Sequence, residues 1–184
     1  DRLLSRGLGD VYKRQVVRSL SQSLLADVRN NNPLETYNLL LKKPITLEQH
    51  IWHLFEYESS INWSDNYSYH ANESGLSWSE IFLRLTEEKH LDRLKMMQAI
   101  LRASNRNFNK VLSGWFIDVL LKFNPSNEEI IDIQTDIHTA LNSPHSKIIN
   151  TCLKLIKKVV KDKNYDNNSF IDMAAVLLLS LIHI

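Results

Sequence analysis

One cysteine, four glycines and four prolines in 184 residues set the first limits on this chain. The lone thiol, Cys152, excludes an internal disulfide framework and a cysteine-based zinc site. Sheets joined by tight turns consume glycine and proline, so their scarcity puts an all-helical fold ahead. Neither sign of charge dominates: 22 Lys and Arg stand against 21 Asp and Glu, a net +1, which argues against nucleic acid as the main partner. The apolar stretch at 174–178, AAVLL, falls far short of the roughly 20 residues a membrane-spanning helix needs. No glycine-rich loop follows a strand-like run, so a phosphate cradle is missing, and no serine-centred nucleophile elbow occurs. What remains is ordinary globular material, 43% hydrophobic and 23% charged, enough for a domain with a real core.

The two ends are unlike the rest. Residues 10–15, DVYKRQ, back-translate as GAT-GTG-TAT-AAG-AGA-CAG. Residues 179–184, LSLIHI, back-translate as CTG-TCT-CTT-ATA-CAC-ATC, the reverse complement of the first string. Both match the end of a transposon adapter used to prepare sequencing libraries. Residues 1–15 and 179–184 are therefore read as translated adapter and set aside, leaving 16–178 as an internal stretch of a longer protein. On that reading the basic start (Arg2, Arg6, Lys13, Arg14) says nothing about an anionic partner.

Apolar residues recur at helical spacing almost throughout. Val17, Leu20, Leu24, Leu25 and Val28 mark a first helix, stopped by Asn30, Asn31 and Asn32. Pro33 suits the first turn of the next, which carries Leu34, Tyr37, Leu40 and Leu41 and stops before Pro44. TLEQ at 46–49 spells a capping box for a helix bearing Ile51, Leu54 and Phe55. Residues 60–76 lose the period, fill with Asn, Ser and Tyr, and read as a loop that is long for a compact domain. SWSE at 77–80 then opens a helix to about Glu87, and residues 91–104 form another with Leu94, Met97 and Leu101 inward. Asn107 is placed to cap a helix carrying Val111, Leu112, Trp115, Phe116, Val119, Leu120 and Phe123, blocked at Pro125. SNEE at 126–129 caps the next, with Ile130, Ile133, Ile137 and Leu141 on one face. Ser143 and Pro144 precede a helix with Ile148, Ile149, Cys152, Leu155, Ile156 and Val159, and a last helix begins near Ser169. The expected core of this half is Trp115, Phe116, Leu120, Ile133, Ile137, Ile149, Leu153 and Ile156. Gly114 would let another helix approach closely, against a helix penalty of roughly 1 kcal/mol.

Starts near residues 90, 108, 126 and 143 recur about every 18 positions, so two helices repeat about every 36. A single hairpin cannot bury its own apolar face, and stacked hairpins share a continuous core. The pattern favours an all-α superhelical solenoid of hairpins over a compact bundle. Its parts are N-terminal helices at 16–59, an aromatic and Asn-rich loop at 60–76, and helical repeats at 77–178.

The stretch SWSEIFLRLTEEKHLDRLKMMQAILRASNRNFNKVLSGWFIDVLLKFNPSNEEI carries a resemblance as well. It places Trp78 at a helix opening, then Leu91-Asp92-Arg93, Phe108, Trp115-Phe116, and Pro125 before Glu128 and Glu129. Over about residues 76–160 this order resembles an uncharacterised bacterial family, catalogued as a domain of unknown function and built of HEAT-like helical repeats. The resemblance implies a HEAT-like solenoid in a cytoplasmic bacterial protein. It assigns no catalytic residue and no cofactor.

Three groups of residues are candidates for a site. Trp52, Trp63, Tyr67, Tyr69 and Trp78 crowd around the least periodic segment, and Trp and Tyr over a groove suit protein recognition; the same loop could instead fold back onto the end of the rod. Lys154, Lys157, Lys158, Lys161 and Lys163 approximate a basic stripe that could meet a phosphate backbone; a solvated flank near a helix C-terminus is the plainer account. His50, His53 and Glu56 offer nitrogen and oxygen ligands for zinc or iron, though H-x-x-H is not the H-E-x-x-H of zinc proteases and a solvated polar flank is the plainer account. The E-x-x-H at 87–90 lacks the second copy that di-iron bundles need. Cys152, inside an apolar stripe, reads as a small buried residue. The expected function is a non-enzymatic protein-protein interaction scaffold without metal, cofactor or membrane, with nucleic-acid binding through the lysine face as the alternative.

Overall fold

A computed structural model describes residues 2–29, 34–67 and 76–182. Among these, only helices occur: α1 Arg2–Arg29, α2 Glu35–Lys42, α3 Pro44–Glu48, a 3-10 helix His50–Phe55, α4 Trp63–Tyr67, α5 Trp78–Glu87, α6 Arg93–Ser104, α7 Lys110–Phe123, α8 Asn127–Asp132, α9 Gln134–Ala140, α10 Ser146–Val159 and α11 Asn167–Ile182. The chain divides within α6 into two compact units, Asp1–Met96 and Met97–Ile184.

In the first unit α1 lies against α2 and the 3-10 helix. Val17 and Leu24, Tyr37 and Leu40, and Ile51, Leu54 and Phe55 are all buried. α5 contributes Trp78, Ile81, Phe82 and Leu85, the i, i+3, i+4, i+7 stripe of one helical face. Its Phe82 ring sits 5.1 Å from Phe55 and 5.5 Å from Trp78. The start of α2 is tied to α1 by the buried Asp27 carboxylate, which accepts the Thr36 N–H at 2.9 Å.

Two local readings change here. Helix α1 begins far upstream of Val17. The box expected at 46–49 does not form: Pro44 opens α3 two residues earlier, from the first helical position where its missing N–H is harmless. The box at Ser77 does form, with Ser77 accepting from the Glu80 N–H and Glu80 accepting from the Ser77 N–H. α5 ends through Lys89, whose φ of 61° is left-handed, so that the His90 and Leu91 N–H groups return to the Leu85 carbonyl at 2.8 and 3.0 Å. A side chain in that region is strained, and glycine is the usual residue there. Lys89→Gly is expected to raise stability by about 0.5–1 kcal/mol, seen as a higher urea midpoint; a lower midpoint would contradict the turn.

In the second unit α7 and α10 are each 14 residues long, their starts 36 residues apart, and α8 starts 34 residues after α6. α10 packs on α7, α8 and α9, and α11 on α9. Trp115, Phe116, Leu120, Ile133, Ile137 and Ile156 are buried, while Ile149 is half-buried. Leu153 is not core: it is 42% exposed. It follows Asn150 by three positions and precedes Lys157 by four, so it shares their exposed face, opposite Cys152, Leu155 and Val159. Val111 is also exposed. The cap of α7 is Asn109, whose side chain accepts the Leu112 N–H at 2.9 Å, and not Asn107.

Asn124 ends α7 in a left-handed conformation, φ 46°. Pro125 follows, and Ser126 opens α8 with a complete capping box. The helix expected from there to Leu141 is broken at Ile133 into α8 and α9. Gly114 does not mark a forced close approach: a Cβ there would stand 3.7 Å from Lys147 Cδ, ordinary contact.

Candidate interaction surface

The aromatic group separates into core and surface. Trp78 is fully buried and cannot contact a partner; the first position of α5 aims it inward onto Phe82. Trp52 is half-buried. Its indole N–H donates to the Glu48 carbonyl at 3.1 Å, and the Lys95 ammonium stands 4.2 Å from the ring centroid. Trp63 is 53% exposed. Its helix is fixed from the neighbouring positions, because Ser64 Oγ accepts the Trp78 N–H at 3.1 Å and Asp65 accepts the Ser79 hydroxyl at 2.7 Å. The Tyr67 side chain and Tyr69 lie outside the described residues.

His50 and His53 turn to different partners. His53 Nδ1 lies 2.8 Å from the Glu56 carboxylate, while His50 Nε2 faces the Tyr12 hydroxyl at 3.4 Å. No group of three His, Cys, Asp or Glu able to hold an ion is found among the described residues. A cavity of about 340 Å³ beside His50 is lined by Tyr12, Gln15, Val16, Leu20 and Thr46. In the same unit Glu88 is a structural clamp: it accepts the Tyr37 hydroxyl at 2.5 Å and the Arg84 Nε–H at 2.7 Å, and Arg84 lies over the Tyr37 ring. Burial first, then the bond to Glu88, pushes the Tyr37 phenol up to about 12.

In the second unit the structure brings out a group the sequence reading passed over. His138 is buried on α9. Its Nε2 lies 2.7 Å from the Tyr165 hydroxyl and its Nδ1 3.3 Å from Ser169 Oγ. The Phe170 ring stands 6.0 Å away. Burial holds the imidazole below its ordinary range, and Asp166 opposes this in part. Cys152 is buried as well, its thiol pushed up to about 12 by burial, which leaves almost no thiolate to react.

Lys154, Lys157, Lys158, Lys161 and Lys163 are all exposed, and Leu153 is exposed among them. Two other cations of this unit are paired with carboxylates. Arg102 makes a two-pronged contact with Asp136 at 2.7 and 3.2 Å, and Lys147 reaches Asp118 at 2.6 Å.

The family model Domain of unknown function (DUF6493) matches residues 2–183. The chain belongs to that family. No curated protein and no solved structure matches it. The family match is wider than the resemblance at 76–160, and in this DUF6493 chain it takes in both units, the aromatic surface and the lysine face alike. Among the described residues no helix is long and apolar enough to cross a membrane.

Proposed function

We propose that this DUF6493 chain is a non-enzymatic scaffold of stacked HEAT-like hairpins that binds another protein. The observation that carries the reading is the pairing of α7 with α10: two helices of 14 residues, their starts 36 residues apart, packed on each other. That period lies in the range of helical-hairpin repeats, whose stacked units present extended surfaces to partners. Exposed Leu153 supplies an apolar anchor on such a surface of the second unit, and exposed Trp63 supplies one on the first unit by itself. The family resemblance favours a bacterial cytoplasmic setting. Residues 1–15 and 179–184 are held to be adapter sequence, and nothing in this reading uses them.

The test is affinity purification from cells carrying the intact gene, with wild-type protein and with Trp63→Ser and Leu153→Ser variants of unchanged far-ultraviolet circular dichroism. A partner recovered at near-equimolar amount, and reduced by at least one variant, is the expected result. Repeated recovery of no stoichiometric partner would count against a scaffold.

A further inference from the structure

The exposed side of α10 combines two features that one kind of ligand would satisfy together. The first is uncompensated charge. Residues 153–163, LKLIKKVVKDK, hold five lysines and one acid, and that acid, Asp162, already accepts the Asn164 N–H at 2.9 Å. No ion pair of these lysines is found among the described residues. The second feature is apolar. Leu153 is 42% exposed, and Ile149, one turn earlier, is half-buried. Within α10, Lys154 and Lys158 stand one turn apart and form one strip, with Ile149 and Leu153, also one turn apart, forming another beside it, and Lys161 and Lys163 follow in the turn after the helix.

We infer that this face docks an acidic segment of a partner protein that carries apolar side chains at helical spacing. The inference rests on the scaffold reading and names the chemistry of its partner. Lysines near a helix C-terminus are favoured by the helix dipole within the last turn, which covers Lys157 and Lys158 but neither Lys154 nor the exposure of Leu153. A nucleic-acid backbone would neutralise the lysines and offer nothing apolar to Leu153 and Ile149. Carboxylates and apolar side chains on one segment meet both strips, with charge setting encounter and register and the apolar contact excluding water. Lysine, a mobile point charge on a flexible stem, tolerates carboxylates without a fixed fork geometry.

The experiment is panning of a displayed library of random segments, each as long as the 14-residue α10, on the full chain. Selected segments should be rich in Asp and Glu, with Leu, Ile or Phe three or four positions apart. Their affinity should fall roughly tenfold or more on the K154E/K158E double variant and severalfold on L153S, with circular dichroism unchanged. Duplex DNA serves as the competing probe. Tighter binding of DNA than of any selected segment, lost on K154E/K158E and untouched by L153S, would overturn the inference in favour of nucleic acid. Enrichment of neutral or basic segments, or undiminished binding to K154E/K158E, would overturn it while leaving a scaffold in place. A library that yields no binder at all would overturn the inference, while the scaffold stands or falls on recovery of a stoichiometric partner.

Discussion

Trp78→Ala is expected to remove about 3–5 kcal/mol from the stability of the first unit. The indole is fully buried, and it stands at the head of a ring series in which Trp78, Phe82 and Phe55 follow one another at 5.5 and 5.1 Å. Removing it deletes one of the largest fully buried side chains and leaves a cavity that Ser77, held in its capping box, cannot collapse into. A domain's whole stability is of the order of 5–15 kcal/mol, so the variant should populate unfolded first unit in moderate urea. Trp78→Phe keeps a ring against Phe82 and should lose well under half as much. Urea unfolding followed by circular dichroism separates the two variants. A Trp78→Ala protein with the wild-type midpoint would return this tryptophan to the surface.

The second large effect concerns His138 and acid. The neutral ring has one donor and one acceptor nitrogen, and its two neighbours, the Tyr165 and Ser169 hydroxyls, can serve either. Burial lowers the proton affinity of the folded ring below the ordinary value of 6.5. As pH falls past that value the unfolded chain takes up a proton that the folded chain still refuses. Unfolding then binds protons, and stability drops. The contribution is complete above about 6.5 and is lost as pH descends towards the lowered folded value. Asp166, which raises the folded value, reduces the effect without reversing it. His138→Leu should therefore flatten the loss of Tm between pH 7.5 and pH 5.5, and equal slopes in variant and wild type would refute the assignment. His138→Ala should cost about 2–4 kcal/mol at pH 7.5, since it opens a cavity and strips the buried Tyr165 hydroxyl of its partner.

The features legible in the sequence are the ones whose physics is local. SWSE and SNEE form the capping boxes they spell, because donor and acceptor lie within four residues. TLEQ spells the same box and fails, because Pro44 opens its helix first. Proximity in the chain groups Trp78 with the loop aromatics. Its spacing to Ile81, Phe82 and Leu85 was the better signal, and that stripe points inward. Counting apolar residues puts Leu153 in the core, but the turn geometry sets it beside Asn150 and Lys157. His138 could not be singled out at all, since its hydroxyl partners stand 27 and 31 positions further along and only tertiary packing brings them together. Gly114 shows the reverse error, a residue given a steric purpose that its surroundings do not require.

The elbow between α7 and α8 deserves a kinetic reading. Asn124 is left-handed, Pro125 has a fixed φ, and Ser126 is locked by Glu129. Three consecutive residues thus have their conformations chosen before any distant contact exists. Closing so short a connection forfeits little chain entropy, and contacts made across it are local in sequence, the kind associated with rapid folding. Such an elbow would set how fast the second unit assembles more than how firmly it holds once assembled.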